Sequence, residues 1–110
     1  MAKAVHAYWD TMEMRPFTLM KSTFAGSGKY GQHMLRGSEG EWKDMRLAIA
    51  GMMNFNMFGI PMVGADVCGS WSTNVTANQE LCGRWFQLAT FMPFARQYRD
   101  EQAQVDVWPP

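Results

Sequence analysis

Six residues near the start of the chain, GSGKYG at 26–31, have the G-x-G-x-x-G spacing of a dinucleotide-binding loop. That chemistry needs a helix that begins at the third glycine, because the first helical amides bind the pyrophosphate. Gly31 is instead followed by QHMLRGSEG, which contains two more glycines before any helix is credible. Lys29 is followed by Tyr30 rather than by Ser or Thr, which excludes a P-loop. The spacing therefore predicts a long βα loop that shapes a pocket.

Other residue types that carry chemistry are few and scattered. His33 has no second His or Cys close by, which favours a packed loop histidine over a metal ligand, and we predict neither metal nor cofactor. Cys68 and Cys82 lack metal-type spacing, and we interpret both as buried small hydrophobes, with a disulfide as the alternative. Asp66 ends a predicted strand, where barrel enzymes place pocket residues, although its carboxylate could instead cap loop amides. Asn74 begins an N-glycosylation sequon, which matters only in a secreted protein.

The bulk composition limits the partners that the chain can have. Its 110 residues suffice for one modest domain, and an apolar content of 47% is enough for a hydrophobic core. Ten basic residues balance ten acidic ones without a charge run, which argues against nucleic acid or an anionic membrane as a partner. No apolar stretch approaches the ~20 residues of a membrane span, and the start MAKAVHAYWD is unlike a secretory signal. Eleven methionines and five tryptophans indicate apolar surface that is buried in part against another chain.

The hydrophobic pattern predicts three helices that alternate with two strands. Apolar residues at helical spacing predict a first helix over residues 2–13. Short apolar runs bounded by Pro and Gly predict buried strands at 17–24 and 60–67. Each strand is followed by a long loop and then a helix, which is typical of parallel βα units. Two parallel strands cannot form a sheet covered on both faces, so we expect other chains to complete this one or to pack on it.

Capping residues predict where the second and third helices begin. Ser38 and Glu41 form a capping box before a helix that we expect to end at Gly59. A second box, T-x-x-Q at 76–79, begins the third helix. The polar residues 101–110 are expected to form a C-terminal tail.

Three longer stretches make the chain resemble a known enzyme family. They read RPFTLMKSTFAGSGKYGQH, FGIPMVGADVCG and ELCGRWFQLATFMPFAR. Together they resemble the α-glucosidases of glycoside hydrolase family 31, from about residue 2 to about residue 100. The resemblance implies that residues 1–100 are a slice of an α/β, (β/α)₈ (TIM) barrel: a helix, the sixth strand with its helix, and the seventh strand with its helix. It also implies that the glycine-rich loop lies in the wall of a sugar pocket.

The resemblance further implies retaining hydrolysis, which needs a nucleophilic carboxylate and a carboxylic acid about 5 Å apart. The nucleophile of the family comes from the fourth strand, which these residues do not contain. The acid/base lies in a segment of the form H-W-x-G-D-N, and alignment at His33 places Met34 at the tryptophan and Gly37 at the aspartate. Glycine cannot donate a proton, and general acid assistance is typically worth ~10²–10⁴-fold. The acid/base position is therefore degenerate.

Other pocket positions implied by the resemblance also differ. Lys21 replaces a substrate-binding arginine and loses its planar fork, while Ser70 replaces an aromatic residue that lines the pocket. Asp66, which contacts substrate in the family, is retained. Glu39 or Glu41 could replace the missing acid, but neutralising the N-terminus of the second helix is the favoured interpretation.

The helix and strand residues match the family, whereas most of the pocket residues differ from it. This pattern favours a non-catalytic structural or accessory subunit, derived from a glycoside hydrolase and packed into a larger protein assembly. The alternative is a segment of an active retaining α-glucosidase, completed by the missing strands and acting on an α-glucoside. A sugar-binding module without chemistry is less favoured, because the stacking residues are lost. The sequence does not indicate the compartment.

Overall fold

The computed structural model describes residues 1–35, 39–69 and 79–97. In these residues, three α-helices and a short 3₁₀ turn alternate with a parallel four-stranded sheet of order β1-β2-β3-β4. The strands are β1 (Leu19–Met20), β2 (Gln32–Met34), β3 (Val63–Val67) and β4 (Phe94–Gln97). The helices are α1 (Ala2–Asp10), α2 (Trp42–Met57) and α3 (Gln79–Ala89), and the 3₁₀ turn is Ser27–Lys29.

The expected α/β barrel slice is confirmed, but the order with two strands is wrong: the described residues form four. The predicted strand at 17–24 shrinks to β1, and the supposed loop that follows it contains β2. The backbone N–H groups of His33 and Leu35 donate to Met62 at 3.0 Å and to Gly64 at 2.9 Å, which joins β2 to the chain around β3. Strands of three or four residues are too short to show a hydrophobic period, so their pairing was not visible in the sequence.

The ends of the helices follow local backbone chemistry. α1 stops at Asp10, three residues before its expected end. α2 begins with Glu41 as its N-cap, and the carboxylate of Asp44 accepts from the backbone N–H of Glu41 at 3.2 Å. Ser38 and Thr76 lie outside the described residues. Gly59 has a φ of +78°, as expected for a residue that ends a helix in the left-handed region.

The hydrophobic core lies between the sheet and the helices α2 and α3. Trp85 of α3 is fully buried there, against the face of β3 that carries Ala65 and Val67. Because side chains alternate along a strand, Gly64 and Asp66 lie on the other face, which is the interior face of the barrel slice. None of the described helices is long and apolar enough to cross a membrane.

A disulfide joins Cys68, directly after β3, to Cys82 in α3. Their interpretation as two separate buried hydrophobes is therefore wrong, and the alternative is correct. The fold brings their Cα atoms to 4.8 Å across a sequence separation of 14, which is within disulfide range.

Close packing of β3 against β4 depends on a glycine. Gly64 is paired in register with Phe94, and a Cβ atom at Gly64 would overlap the carbonyl group of Phe94. This approach lets the next registered pair on the same face, Asp66 and Arg96, bring their side chains together.

Candidate functional site

An ion pair at the carboxyl ends of β3 and β4 is the centre of the candidate site. Nε of Arg96 donates to Oδ1 of Asp66 at 2.9 Å. The Asp66 side chain is 2% exposed and the Arg96 side chain is 33% exposed. The aspartate side chain is thus buried in the sheet, whereas about a third of the Arg96 side chain remains exposed.

Arg96 was missed by sequence reasoning, which assigned no strand after the third helix. A signal was available: in P-F-A-R, Phe94 and Arg96 are two residues apart and follow a proline, as expected for a short strand with one face inward. The signal was too short to separate from a loop.

The chemistry that this pair supports is recognition of hydroxyl groups. A carboxylate accepts hydrogen bonds, and a guanidinium donates up to five in a planar fork. Neighbouring sugar hydroxyls both donate and accept, so they complement such a pair. The pair contributes one carboxylate, whereas retaining hydrolysis requires two.

Two further predicted residues lie near this end of the sheet. Lys21 directly follows β1 and is exposed. Met34 is the last residue of β2, is 1% exposed, and is in register with Gly64, so it shares the interior face with Asp66. Gly37 and Ser70 lie outside the described residues.

His33 lies on the opposite face of the sheet from Asp66. Its ring stacks on Phe55 of α2, with centroids 3.8 Å apart and planes 15° apart. The hydroxyl of Thr23 lies 3.0 Å from His33 Nδ1, and burial lowers the pKa of the imidazole. His33 is therefore a packed strand residue that connects β2 to α2 and to the loop after β1. The described residues contain no group of His, Cys, Asp and Glu suited to a metal ion.

The two candidate substitute acids lie at the start of α2. The oxygens of Glu41 and Glu39 lie 2.8 Å and 3.4 Å from Nζ of Lys43. The hydrogen bond from Lys43 to Glu41, followed by that to Glu39, raises the pKa of the exposed lysine. Both carboxylates are thus engaged with Lys43 at the surface, just before the first turn of α2.

The GSGKYG segment lies at the amino ends of the strands, away from Asp66. Gly28 packs on the backbone of Gly59 and Ile60, and Gly31 packs on the carbonyl of Thr18 just before β1. Neither position has space for a Cβ atom, which explains these glycines without a phosphate. β2 begins directly after Gly31, so the helix that a dinucleotide loop needs does not follow. The expectation that this loop lines the sugar pocket is wrong, because the chain crosses back to the amino edge within these residues.

Comparison with known proteins agrees with this geometry. The family model for the glycosyl hydrolases family 31 TIM-barrel domain matches residues 1–109. An alpha-glucosidase of Schizosaccharomyces pombe is 49% identical over 86 residues, which are 78% of this chain and 9% of that protein. Alpha-xylosidase 1 of Arabidopsis thaliana is 43% identical over 84 residues, which are 76% of this chain and 9% of that protein.

A solved structure supports the same comparison. It is the ER glucosidase II complex of a catalytic subunit with the binding domain of a regulatory subunit. It matches with a TM-score of 0.68 and 30% identity, over 77% of this chain and 9% of the solved chain. This chain therefore spans about a tenth of the length of each of these three proteins.

Proposed function

The chain belongs to glycosyl hydrolase family 31, and on that premise we propose that it is a non-catalytic wall of a family 31 barrel. In this role it serves as a structural or accessory subunit inside a larger protein assembly. One observation carries the proposal. Asp66 is the one carboxylate that the described strands place on their interior face, and Arg96 already binds it.

The strands that the structure describes place no second carboxylate on that face, and we infer that they supply neither of the two catalytic groups. A retaining hydrolase needs a nucleophile and an acid/base on the two sides of the scissile bond. By the family resemblance, the acid/base position is Gly37, which has no side chain to donate a proton. Glu39 and Glu41 are bound to Lys43 at the helix surface and contribute no acid to the interior face.

Exposed apolar side chains support the proposal of an assembly. On the interior side, Phe17 is 58% exposed although its ring lies 5.8 Å from that of Phe94. On α2, Leu47 is 66% exposed and Met57 is 85% exposed. Covering such surface by further protein gains about 25 cal/mol per Å². The family includes at least one solved assembly, the glucosidase II heterodimer.

The second candidate function is a segment of an active retaining glycosidase, completed by further strands. The retained Asp66–Arg96 pair favours it, because a pair suited to sugar hydroxyls is kept in register at the pocket end of the sheet. Similarity to both an alpha-glucosidase and an alpha-xylosidase makes α-glucosides and α-xylosides the substrates to compare.

The leaving group of the substrate separates the two functions. The full chain is co-expressed with the remaining barrel strands of a related α-glucosidase and assayed with 2,4-dinitrophenyl and methyl α-glycosides of glucose and xylose. A dinitrophenolate leaves without acid assistance, whereas a methoxide needs a proton donor. The non-catalytic proposal expects no turnover of either methyl glycoside, and a gain of turnover in Gly37→Asp. Turnover of a methyl glycoside that is lost in Asp66→Ala would establish the second function.

A further inference from the structure

Three exposed apolar side chains lie at the amino edge of the sheet, opposite the edge of the Asp66–Arg96 pair. Phe24 is 83% exposed, Met57 is 85% exposed and Phe58 is 63% exposed. Met57 and Phe58 end α2 just before β3, and Phe24 lies between β1 and the 3₁₀ turn. We call these three residues the amino-edge patch.

The turn that carries Phe24 packs against the end of α2. The backbone N–H of Phe24 donates to Oγ of Ser27, and the N–H of Ser27 donates to the carbonyl of Phe24, both at 2.9 Å. Ser27 begins the 3₁₀ turn, and Gly28 of that turn packs on the carbonyl of Gly59, the residue that follows Phe58. Phe24 and Phe58 are therefore held on neighbouring segments of the same edge.

Phe58 is also supported from the side of the core. Its ring lies edge-on to that of Phe55, with centroids 5.7 Å apart, and Phe55 stacks on the buried ring of His33. A side chain that is held in place and still exposed loses little freedom on binding, so it is suited to anchor a partner. Aromatic residues and methionine are enriched in protein interfaces.

Completion of the barrel would leave the amino-edge patch exposed. The described sheet has the order β1-β2-β3-β4, so further strands pair with its outer strands, β1 and β4. Met57 and Phe58 lead into β3, which lies inside that order, and the turn of Phe24 packs beside them. What covers the patch must therefore come from outside the barrel.

The relatives of this chain are long enough to supply such an occupant. In the alpha-glucosidase of Schizosaccharomyces pombe, 86 aligned residues are 9% of the protein, which therefore has roughly 900–1,000 residues. A (β/α)₈ barrel takes about 250 residues, or somewhat more than about 400 with large insertions. On the order of 500 residues of that relative thus lie outside its barrel.

Charge narrows the chemistry of the occupant. The two segments of the amino edge, 24–31 and 57–62, contain one charged side chain, that of the exposed Lys29. A second copy of this chain, bound about a two-fold axis, would place Lys29 in the same interface as its own copy, which is unfavourable. An apolar surface with a carboxylate at its rim complements both the patch and the ammonium group.

We propose that the amino-edge patch docks a domain of a family 31 protein that lies outside the barrel. Phe24, Met57 and Phe58 bury their side chains in an apolar surface of that domain, and Lys29 binds a carboxylate at its rim. The inference rests on the proposed place of the chain in a larger assembly. It assigns the amino edge to a partner other than the remaining barrel strands.

The test uses the full chain co-expressed with the remainder of the Schizosaccharomyces pombe alpha-glucosidase, from which the 86 matching residues are removed. The photo-cross-linker p-benzoylphenylalanine replaces Phe24 in one variant and Phe17 in the other. Both positions carry an exposed phenylalanine, so the larger aromatic ring leaves the fold intact. After irradiation, mass spectrometry identifies the partner residues joined to each position. We expect adducts outside the barrel from Phe24 and adducts on barrel strands from Phe17.

Two charge variants test the role of Lys29. Lys29→Glu should lower the yield of adducts at Phe24 severalfold, because it places a carboxylate against the carboxylate of the partner. Arg46→Glu is the matched control, and it should leave that yield unchanged. Arg46 is also exposed, but it lies near the start of α2, about 16 Å along the helix from Met57.

Different results would overturn this inference and the proposed function. Adducts from Phe24 on barrel residues or on a second copy of this chain would overturn the inference, as would adducts from Phe17 alone. An unchanged yield in Lys29→Glu would overturn the carboxylate assigned to the partner. Adducts from neither position would refute the proposed place in an assembly, and this inference with it.

Discussion

Asp66 and Arg96 bind each other across two parallel strands, yet they are unequally buried. The Asp66 carboxylate is 2% exposed, whereas the Arg96 side chain that donates to it is 33% exposed. If the pair is broken, water can solvate the arginine but not the aspartate. An unpaired charge costs most where water cannot reach it, so the two residues contribute unequally to stability.

The first prediction follows from this asymmetry. Arg96→Ala leaves a buried carboxylate without its ion-pair partner and should lower the free energy of unfolding by about 3–5 kcal/mol. Asp66→Asn keeps the shape of the side chain and leaves a cation that water can reach, so we expect a loss of about 1 kcal/mol. Urea unfolding followed by tryptophan fluorescence measures both values. Equal losses of unfolding free energy in the two variants would contradict the unequal burial of Asp66 and Arg96.

A second prediction concerns the contact between β3 and β4. Gly64→Ala places a methyl group against the carbonyl of Phe94, where backbone rather than a flexible side chain must move. Overpacking typically costs about 1–3 kcal/mol, and we expect the upper end of that range, measured as a drop in the free energy of unfolding. Gly51→Ala in α2 is the matched control. There the three nearest atoms to the added methyl group belong to the Leu35 side chain, the closest at 3.1 Å, and a side chain can shift where backbone cannot. The higher helix propensity of Ala, worth about 0.5–1 kcal/mol, should offset the cost of that shift. If Gly51→Ala lowers the free energy of unfolding as much as Gly64→Ala does, the steric explanation is refuted.

A third prediction concerns the disulfide between Cys68 and Cys82. It closes a loop over a sequence separation of 14, for which chain entropy predicts about 3 kcal/mol of stabilisation. Dithiothreitol should therefore lower the midpoint of thermal unfolding of the wild-type chain. The double variant Cys68→Ala/Cys82→Ala should start at the lower midpoint and show no response to the reductant. Thiol labelling checks that reduction is complete. If the midpoint of the wild-type chain then stays constant, the disulfide contributes nothing to stability.

A fourth prediction is that the free energy of unfolding decreases as the pH is lowered below 6.5, the usual pKa of a histidine side chain. Burial lowers the pKa of His33 from its usual value of 6.5, so the unfolded chain binds this proton more readily than the folded chain. The stability contributed by neutral His33 is complete above pH 6.5 and is lost as the pH falls through the folded-state pKa. One proton changes the free energy of unfolding by at most about 1.4 kcal/mol per pH unit.

Comparison of two histidine variants isolates this effect. His33→Gln should flatten the dependence of the unfolding free energy on pH between neutral and mildly acidic buffers. The control variant His6→Gln, on α1, should retain the pH dependence of the wild-type chain. A steep dependence that persists in His33→Gln would assign the proton to another group.

Much of the framework could be predicted from local patterns. The bodies of all three helices, the buried strand β3 and the end of α2 at Gly59 follow from helical spacing, apolar runs and a left-handed glycine. The strands β2 and β4 could not be predicted, because three or four residues are too few to carry a period. Sequence reasoning expected no helix directly after Gly31, and β2 begins there instead. It nevertheless assigned the GSGKYG loop to the wrong edge of the sheet. The direction in which a loop crosses a sheet depends on the strands that it joins.

The family, the parallel βα architecture and the place of Asp66 in its strand could be read from the sequence alone, because these depend on patterns within short stretches of chain. Only the tertiary structure decided that Asp66 pairs with Arg96, 30 residues away, and that the two cysteines are bonded across a separation of 14. It also placed His33 on the helix side of the sheet. Contacts between distant residues depend on register and on the direction of each strand, which emerge only when the strands pair.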